Sequence, residues 1–289
     1  MTTEPKTGFS PSTHTPGPAY LLVLFGEILL GSILSSLIVF RYFPILSAQI
    51  GEPGALNYIQ ILSSLLTFVA PCLLNEWIFR KNYARILSFS SGEDNFITLM
   101  RCILFYASMM PLIAFLTHLM GKIEMPHNAF TLWLDQIEAQ SNAMMQKMMS
   151  DKSAKGIFRS LLSIVVVAPF AEELFMRGSL LGWLRRKGVA VDLGVWIVAA
   201  LFSLVHFQWT AFIPRLLMGA ALGYIAIYGG LWMAMVVHAL NNLYALITFY
   251  RYGIVNELDM PESDMTLWIL APAILLAHYL FAKLRSGRK

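Results

Sequence analysis

Two adjacent carboxylates and an arginine, Glu172, Glu173 and Arg177, stand inside an otherwise mostly apolar run from Ile157 to Leu184. Such a run is long enough to cross a bilayer core of about 30 Å. A charge at that depth costs on the order of 2.5 to 3.5 kcal/mol on insertion scales, so ionisable groups kept there are paired or functional. Helical spacing divides the two acids. Glu173 and Arg177 are four residues apart, share a face and can pair. Glu172 points about 100° away, and its own four-apart neighbour is Met176, which carries no charge. Spacing therefore predicts one structural carboxylate and one free for chemistry. The competing reading is a buried ion cluster that only pins helices together.

Comparable apolar runs recur at Tyr20–Phe40, Tyr58–Phe79, Phe96–Met120, Val189–His206, Ala211–Tyr228, Leu231–Tyr250 and Thr266–Ala282. With 57% hydrophobic and 13% charged residues, the chain is expected to be an all-α polytopic membrane protein. It would have about eight transmembrane helices and a site inside the helical bundle. The first run has no strongly basic leader and is longer than a signal-peptide core, so it reads as a retained span. The formal charge of +4 lies mostly in short clusters between runs, which makes it topological information and argues against nucleic acid as a partner. Arg80, Lys81 and Arg85, then Arg185, Arg186 and Lys187, then Lys283, Arg285, Arg288 and Lys289 fall on one side of an eight-span alternation. That side is the cytoplasm of a cell inner or plasma membrane, with both termini on it. The acidic loop Asn256–Asp264 falls opposite.

The organisation read from these runs has five parts. Residues 1–19 are a disordered cytoplasmic tail, 20–120 hold three spans, and 121–156 connect them to the rest. Residues 157–250 hold four spans with the paired acids among them, and 251–289 add a loop, the last span and a basic tail. Within the connection, Asp135–Lys152 is polar, rich in Met and spaced as an amphipathic helix, either a simple connector or a lid over substrate access. Cys72 and Cys102 read as packing residues, and Asn75 and Glu76 as polar residues exposed at a span end.

Two more polar pairs lie downstream. Phe202 and His206 are four apart, as are His238 and Asn242, so each pair is expected on one helix face. Glu172 with His206 has the parts to deprotonate water and relay the proton, and His238 with Asn242 the parts to stabilise an oxyanion. No cofactor is required. Zinc on Glu172, His206 and His238 is the alternative, although no His-Glu-x-x-His occurs and Asn242 suits hydrogen bonding better than zinc. A Gly-x-Ser-x-Gly elbow is missing, which argues against a serine hydrolase.

The ordered motifs Glu-Glu-x-x-x-Arg (Glu172, Glu173, Arg177), Phe-x-x-x-His (Phe202, His206) and His-x-x-x-Asn (His238, Asn242) resemble the CAAX prenyl protease and bacteriocin-processing family. The similarity runs from Leu161 to about Tyr250 and extends to the wording around Ala168–Gly178 and Val237–Asn242. It implies an intramembrane endopeptidase in which Glu172 activates water with His206, His238 and Asn242 form the oxyanion site, and Glu173 with Arg177 orients the helix. The implied partner is a membrane-associated protein or peptide, lipidated or CAAX-like, in the lipid bilayer; bacterial members are linked to bacteriocin maturation or self-immunity. Two rivals remain: a non-catalytic immunity or scaffolding protein that keeps the motif as a polar packing core, and a proton-coupled transporter, for which no inverted repeat is visible.

Overall fold

The computed structural model describes residues 17–79, 96–123, 126, 128–253 and 267–286. The tail up to residue 16, the cluster of Arg80, Lys81 and Arg85, the acidic loop 256–264, and Arg288 with Lys289 lie outside the described residues.

The described chain is helical throughout, with no strand among the described residues. In order, the helices are α1 (Ala19–Ile50), α2 (Glu52–Phe79), α3 (Phe96–Gly121), α4 (Ala129–Met148), α5 (Ala154–Arg186), α6 (Val191–Leu204), α7 (Phe212–Tyr228), α8 (Leu231–Tyr252) and α9 (Leu267–Ser286). Six of these are long and apolar enough to cross a membrane, while α6 and α7, with 14 and 17 residues, are shorter apolar helices. Each of the eight runs picked out by hydropathy is a helix, and the polytopic all-α architecture stands. The boundaries move, however: α1 continues through Pro44 to Ile50, and α6 stops at Leu204, before His206.

Lipid tails are as apolar as the side chains they touch, so helices in a bilayer associate through close packing and internal hydrogen bonds. The core shows both. Leu174, Phe175 and Leu181 of α5 pack with Val195, Val198 and Ala199 of α6, Leu222 and Ile225 of α7, and Val237 of α8. Cys72 and Cys102 are buried free thiols in the same core. Large apolar side chains on α1, such as Leu22, Leu30 and Phe40, are left on the outside, as a lipid-facing surface requires. Asn75 differs from its expected place at an exposed span end. It is fully buried and donates to the carbonyl of Tyr20 at 3.2 Å, because α1 covers that face of α2.

A smaller cluster of Met148, Met149, Ile164, Val165 and Leu246 joins the end of α4 to α5 and α8. Polar bonds lock the same corner. Asn57 of α2 donates to the Met148 carbonyl at 2.8 Å, Ser160 of α5 donates to that carbonyl at 3.1 Å, and Ser163 donates to the Asn57 side chain. Lys147 pairs with Glu52 at 2.7 Å. The helix in the connection thus begins at Ala129, not Asp135, and its far end is tied to the membrane bundle. Its start is set by a capping box, in which the Asn128 side chain accepts from the Thr131 amide at 3.1 Å and the Thr131 hydroxyl accepts from the Asn128 amide at 3.1 Å.

The tightest helix pair for the site is α6 against α7. A Cβ placed on Gly219 would lie 3.2 Å from the Cα of Ala199, and one on Gly223 would lie 2.9 Å from a methyl of Val195. Glycine at both positions leaves the room by which the two helices approach. Gly219→Val is expected to destabilise the protein by about 1 to 3 kcal/mol through overpacking, read as a lower melting temperature in detergent. Gly26→Ala is the control, since a Cβ there meets nothing within 4 Å; equal melting of the two variants would refute this account of α6–α7 packing.

Candidate active site

The helix that carries the acids is not uniform. Within α5, residues Leu161–Val167 and Leu174–Leu181 are wound as π-helix, and the turn Ala168–Glu173 between them is α-helical. π-helical turns cost hydrogen-bond quality and are found mostly where a side chain must be aimed. For the first stretch a local reason is Pro169. In the first π-turn the Ala168 amide donates five residues back, to the Ser163 carbonyl. The next amide in that register would serve the Ile164 carbonyl, but proline has no N–H. Asn242 of α8 supplies the donor instead, with its side-chain amide 2.9 Å from the Ile164 carbonyl. A proline inside a spanning run and an amide on a later helix were the available sequence signals for this arrangement.

The acids then separate by environment. Glu173 is wholly buried, and its Oε1 accepts from Arg177 Nη1 at 2.7 Å and faces His238 Nδ1 at 2.9 Å. Arg177 also donates through Nη2 to the Gly219 carbonyl at 2.8 Å, and its guanidinium lies 4.7 Å from the centre of the Phe202 ring. One buried anion is thus shared between a cation and an imidazole, and the cation is held by a carbonyl and an aromatic face. Glu172 is placed differently. Its side chain keeps 25% of its surface, and Oε2 lies 3.8 Å from His238 Nε2, beyond hydrogen-bond length.

Tautomers follow from these partners. An ionised carboxylate only accepts, so His238 donates from Nδ1 to Glu173 and presents Nε2 towards Glu172. His206 Nδ1 lies 2.6 Å from the Phe202 carbonyl, which also only accepts, so this ring donates from Nδ1 and keeps Nε2 as its second functional atom. The Phe202 ring stands between the two imidazoles, with centroid distances of 4.9 Å to His206 and 5.9 Å to His238.

His206 reaches this position by a route that helical spacing does not give. It was expected to share a helix face with Phe202, but α6 ends at Leu204 and His206 lies in the following turn. The chain tightens there through His206 and Phe207 amides donating three residues back, at 3.3 and 3.1 Å. Phe207 takes a positive φ of 50°, and Ser203 donates to the Phe212 carbonyl at 2.7 Å across the turn. A tertiary bond across the turn, in place of another helical turn, brings imidazole and ring together.

His238 and Asn242 do share α8, yet they serve different partners: His238 meets the two glutamates, and Asn242 meets the π-turn of α5. Two residues not singled out from the sequence extend this line. Tyr106 of α3 donates to the Asn241 side chain at 3.0 Å, and Asn241 donates to Asn242 at 3.3 Å. The only signal for Asn241 was its place beside Asn242, and Tyr106 gave none. Among the described residues, no three of His, Cys, Asp and Glu converge at metal-ligand spacing.

Residues 155–244 match the model of the family described as type II CAAX prenyl endopeptidase Rce1-like. The matched segment contains Glu172, Glu173, Arg177, Phe202, His206, His238 and Asn242. Comparison with curated proteins and with solved structures gives no match.

Because Glu173 is fully enclosed, removing Arg177 leaves a buried carboxylate with His238 as its one remaining side-chain partner. Arg177→Met is expected to lower stability by about 3 to 5 kcal/mol, and Glu173→Gln with Arg177→Met together to lower it by less than the sum. Thermal unfolding in detergent checks both, and additive losses would contradict the shared-anion geometry.

Proposed function

We propose, on the premise that this chain belongs through residues 155–244 to the Rce1-like family of CAAX-type intramembrane proteases, that Glu172 and His206 activate the water that cuts a peptide bond. The protein is an integral membrane peptidase, and its substrate in this reading is a membrane-associated protein or peptide, lipidated or CAAX-like. The observation that carries the assignment is the unequal state of the two acids. Glu173 is enclosed and committed to Arg177 and His238, whereas Glu172 keeps an accessible side chain and faces His238 Nε2 across 3.8 Å.

In the proposed reaction Glu172 takes a proton from water as its oxygen attacks the scissile carbonyl carbon. The carbonyl oxygen gathers negative charge and is met by the second amide N–H of Asn242, whose first holds Ile164, and by His238 in its doubly protonated form, with Nδ1–H on Glu173 and Nε2–H on the oxyanion. His206, with Nδ1 committed to the Phe202 carbonyl, shares the proton through Nε2. The proton passes to the leaving nitrogen, the C–N bond breaks, and a carboxylate and an amine are released. Glu173, Arg177 and Phe202 touch no substrate atom in this scheme; they hold the helix and His238 in place. The mechanism is written without a metal; the Nδ1 bonds to the Phe202 carbonyl and the Glu173 carboxylate leave both Nε2 atoms open, which serves proton transfer in this reading and would equally serve zinc in the alternative one.

Charge gives the orientation in this proposal. Arg185 and Arg186 end α5, and Lys283 and Arg285 end α9, so these ends and both termini are assigned to the cytoplasmic side of a cell inner or plasma membrane.

The test is cleavage of a farnesylated CAAX reporter peptide by purified protein in detergent. Glu172→Gln and His206→Ala are each expected to lower kcat by about 10²- to 10⁴-fold with melting unchanged, and a strong chelator is expected to leave the wild-type rate intact. A wild-type rate in Glu172→Gln would remove the glutamate mechanism. Loss on chelation with recovery on adding zinc would move the chemistry to a metal held by Glu172, His206 and His238.

A further inference from the structure

The turn that carries His206 is held from outside the matched core. Glu138 of α4 accepts the backbone amides of Trp209 and Thr210 on Oε2, at 3.0 and 3.4 Å, and the Thr210 hydroxyl on Oε1. One turn further along α4, Asn142 accepts from the Gln208 side chain at 3.0 Å, and Gln208 in turn accepts from Arg215. On the other side, the Trp133 ring meets Phe207 edge-on at 6.3 Å. Every residue from 207 to 210 therefore has a side-chain or backbone link to α4, directly after His206.

These links act where the backbone is least able to hold itself. Helix α6 has ended, α7 has not begun, and Phe207 sits at a positive φ of 50°. A non-glycine residue in that region costs about 1 to 2 kcal/mol and persists only where its surroundings over-determine it. A carboxylate that accepts consecutive amides ahead of a helix is a strong form of such support, since charged acceptors bind backbone N–H groups more tightly than neutral ones. The carboxylate is itself well placed. Helix α4 is capped by Asn128 and Thr131 at its start, and its end is tied to α2 and α5 through Met148 and Lys147.

We propose that α4 is a strut across the end of the bundle and that Glu138 is a positioning residue, which fixes His206 through the turn 206–210. The inference rests on the reading in which His206 takes part in proton transfer. It assigns to the connecting segment a task that neither the sequence motifs nor the family match covers, because Glu138 lies outside residues 155–244. Glu138 does not touch the reacting atoms in this account. Its effect reaches them only through the backbone of Phe207–Thr210.

Two measurements on the full-length protein in detergent test this together. Amide hydrogen exchange at Trp209 and Thr210 is expected to quicken in Glu138→Ala and less so in Glu138→Gln, which retains one acceptor oxygen. With the farnesylated CAAX reporter, kcat in Glu138→Ala is expected to fall by about 10²-fold with KM little changed, as for a small misplacement of a catalytic group. Glu138→Gln is expected to recover part of that loss, and Thr210→Val, which removes a single donor, to show a smaller effect and serve if Glu138→Ala fails to fold. Faster exchange with an unchanged kcat would overturn the positioning role, and unchanged exchange would overturn the strut. If Glu172→Gln also keeps the wild-type rate, the underlying catalytic reading fails and the inference with it; if Glu172→Gln is inactive while Glu138→Ala is not, the inference alone fails.

Discussion

One buried oxygen organises the site. Glu173 Oε1 accepts from Arg177 on its own helix and from His238 on α8, and Arg177 reaches on to the Gly219 carbonyl of α7 and the Phe202 ring of α6. Four helices are thus joined through a single ion pair. In a membrane this is an economical way to specify a packing arrangement, because apolar surfaces alone do not distinguish a neighbouring helix from lipid. Gly219 takes part in both contacts, giving its carbonyl to Arg177 of α5 and lying close against Ala199 of α6.

The consequence for Glu172 is mostly geometric. Its neighbour consumes the available cation and one nitrogen of His238, so the second carboxylate is left beside the remaining nitrogen with part of its surface open. Two residues of one type, adjacent in sequence, come to occupy unlike surroundings because a helix turns by about 100° per residue. Asymmetry of environment of this kind needs no difference in composition.

The fold was largely legible because lipid imposes a simple rule on sequence, and the apolar runs reported it. The Glu173–Arg177 pair was legible for a similar reason, as spacing on a helix is periodic. Elsewhere the determining contacts are not local. Apolar residues continue through Val205, and no glycine or proline marks the end of α6, so periodicity carried the helix on to His206. What stops it are partners outside the helix, the Phe212 carbonyl across the turn for Ser203 and, far away in sequence, Glu138 for the amides beyond. The start of α4 was legible after all, in the three-residue spacing of Asn128 and Thr131, whereas polarity drew attention to Asp135. The π-turns of α5 had only Pro169 as a local sign, and its partner lies on another helix.

That last arrangement bears on the order in which the protein can be made. Helix α5 leaves the ribosome well before α8, and until α8 arrives the Ile164 carbonyl lacks the Asn242 amide and Glu173 lacks its imidazole. A backbone carbonyl without a donor is costly in hydrocarbon, so newly inserted α5 has reason to adopt another winding or to borrow a temporary partner. The geometry that separates Glu172 from Glu173 is therefore completed late in biogenesis, by a segment that also delivers His238. An assembly intermediate lacking α8 would hold both acids without the imidazole that gives them different surroundings.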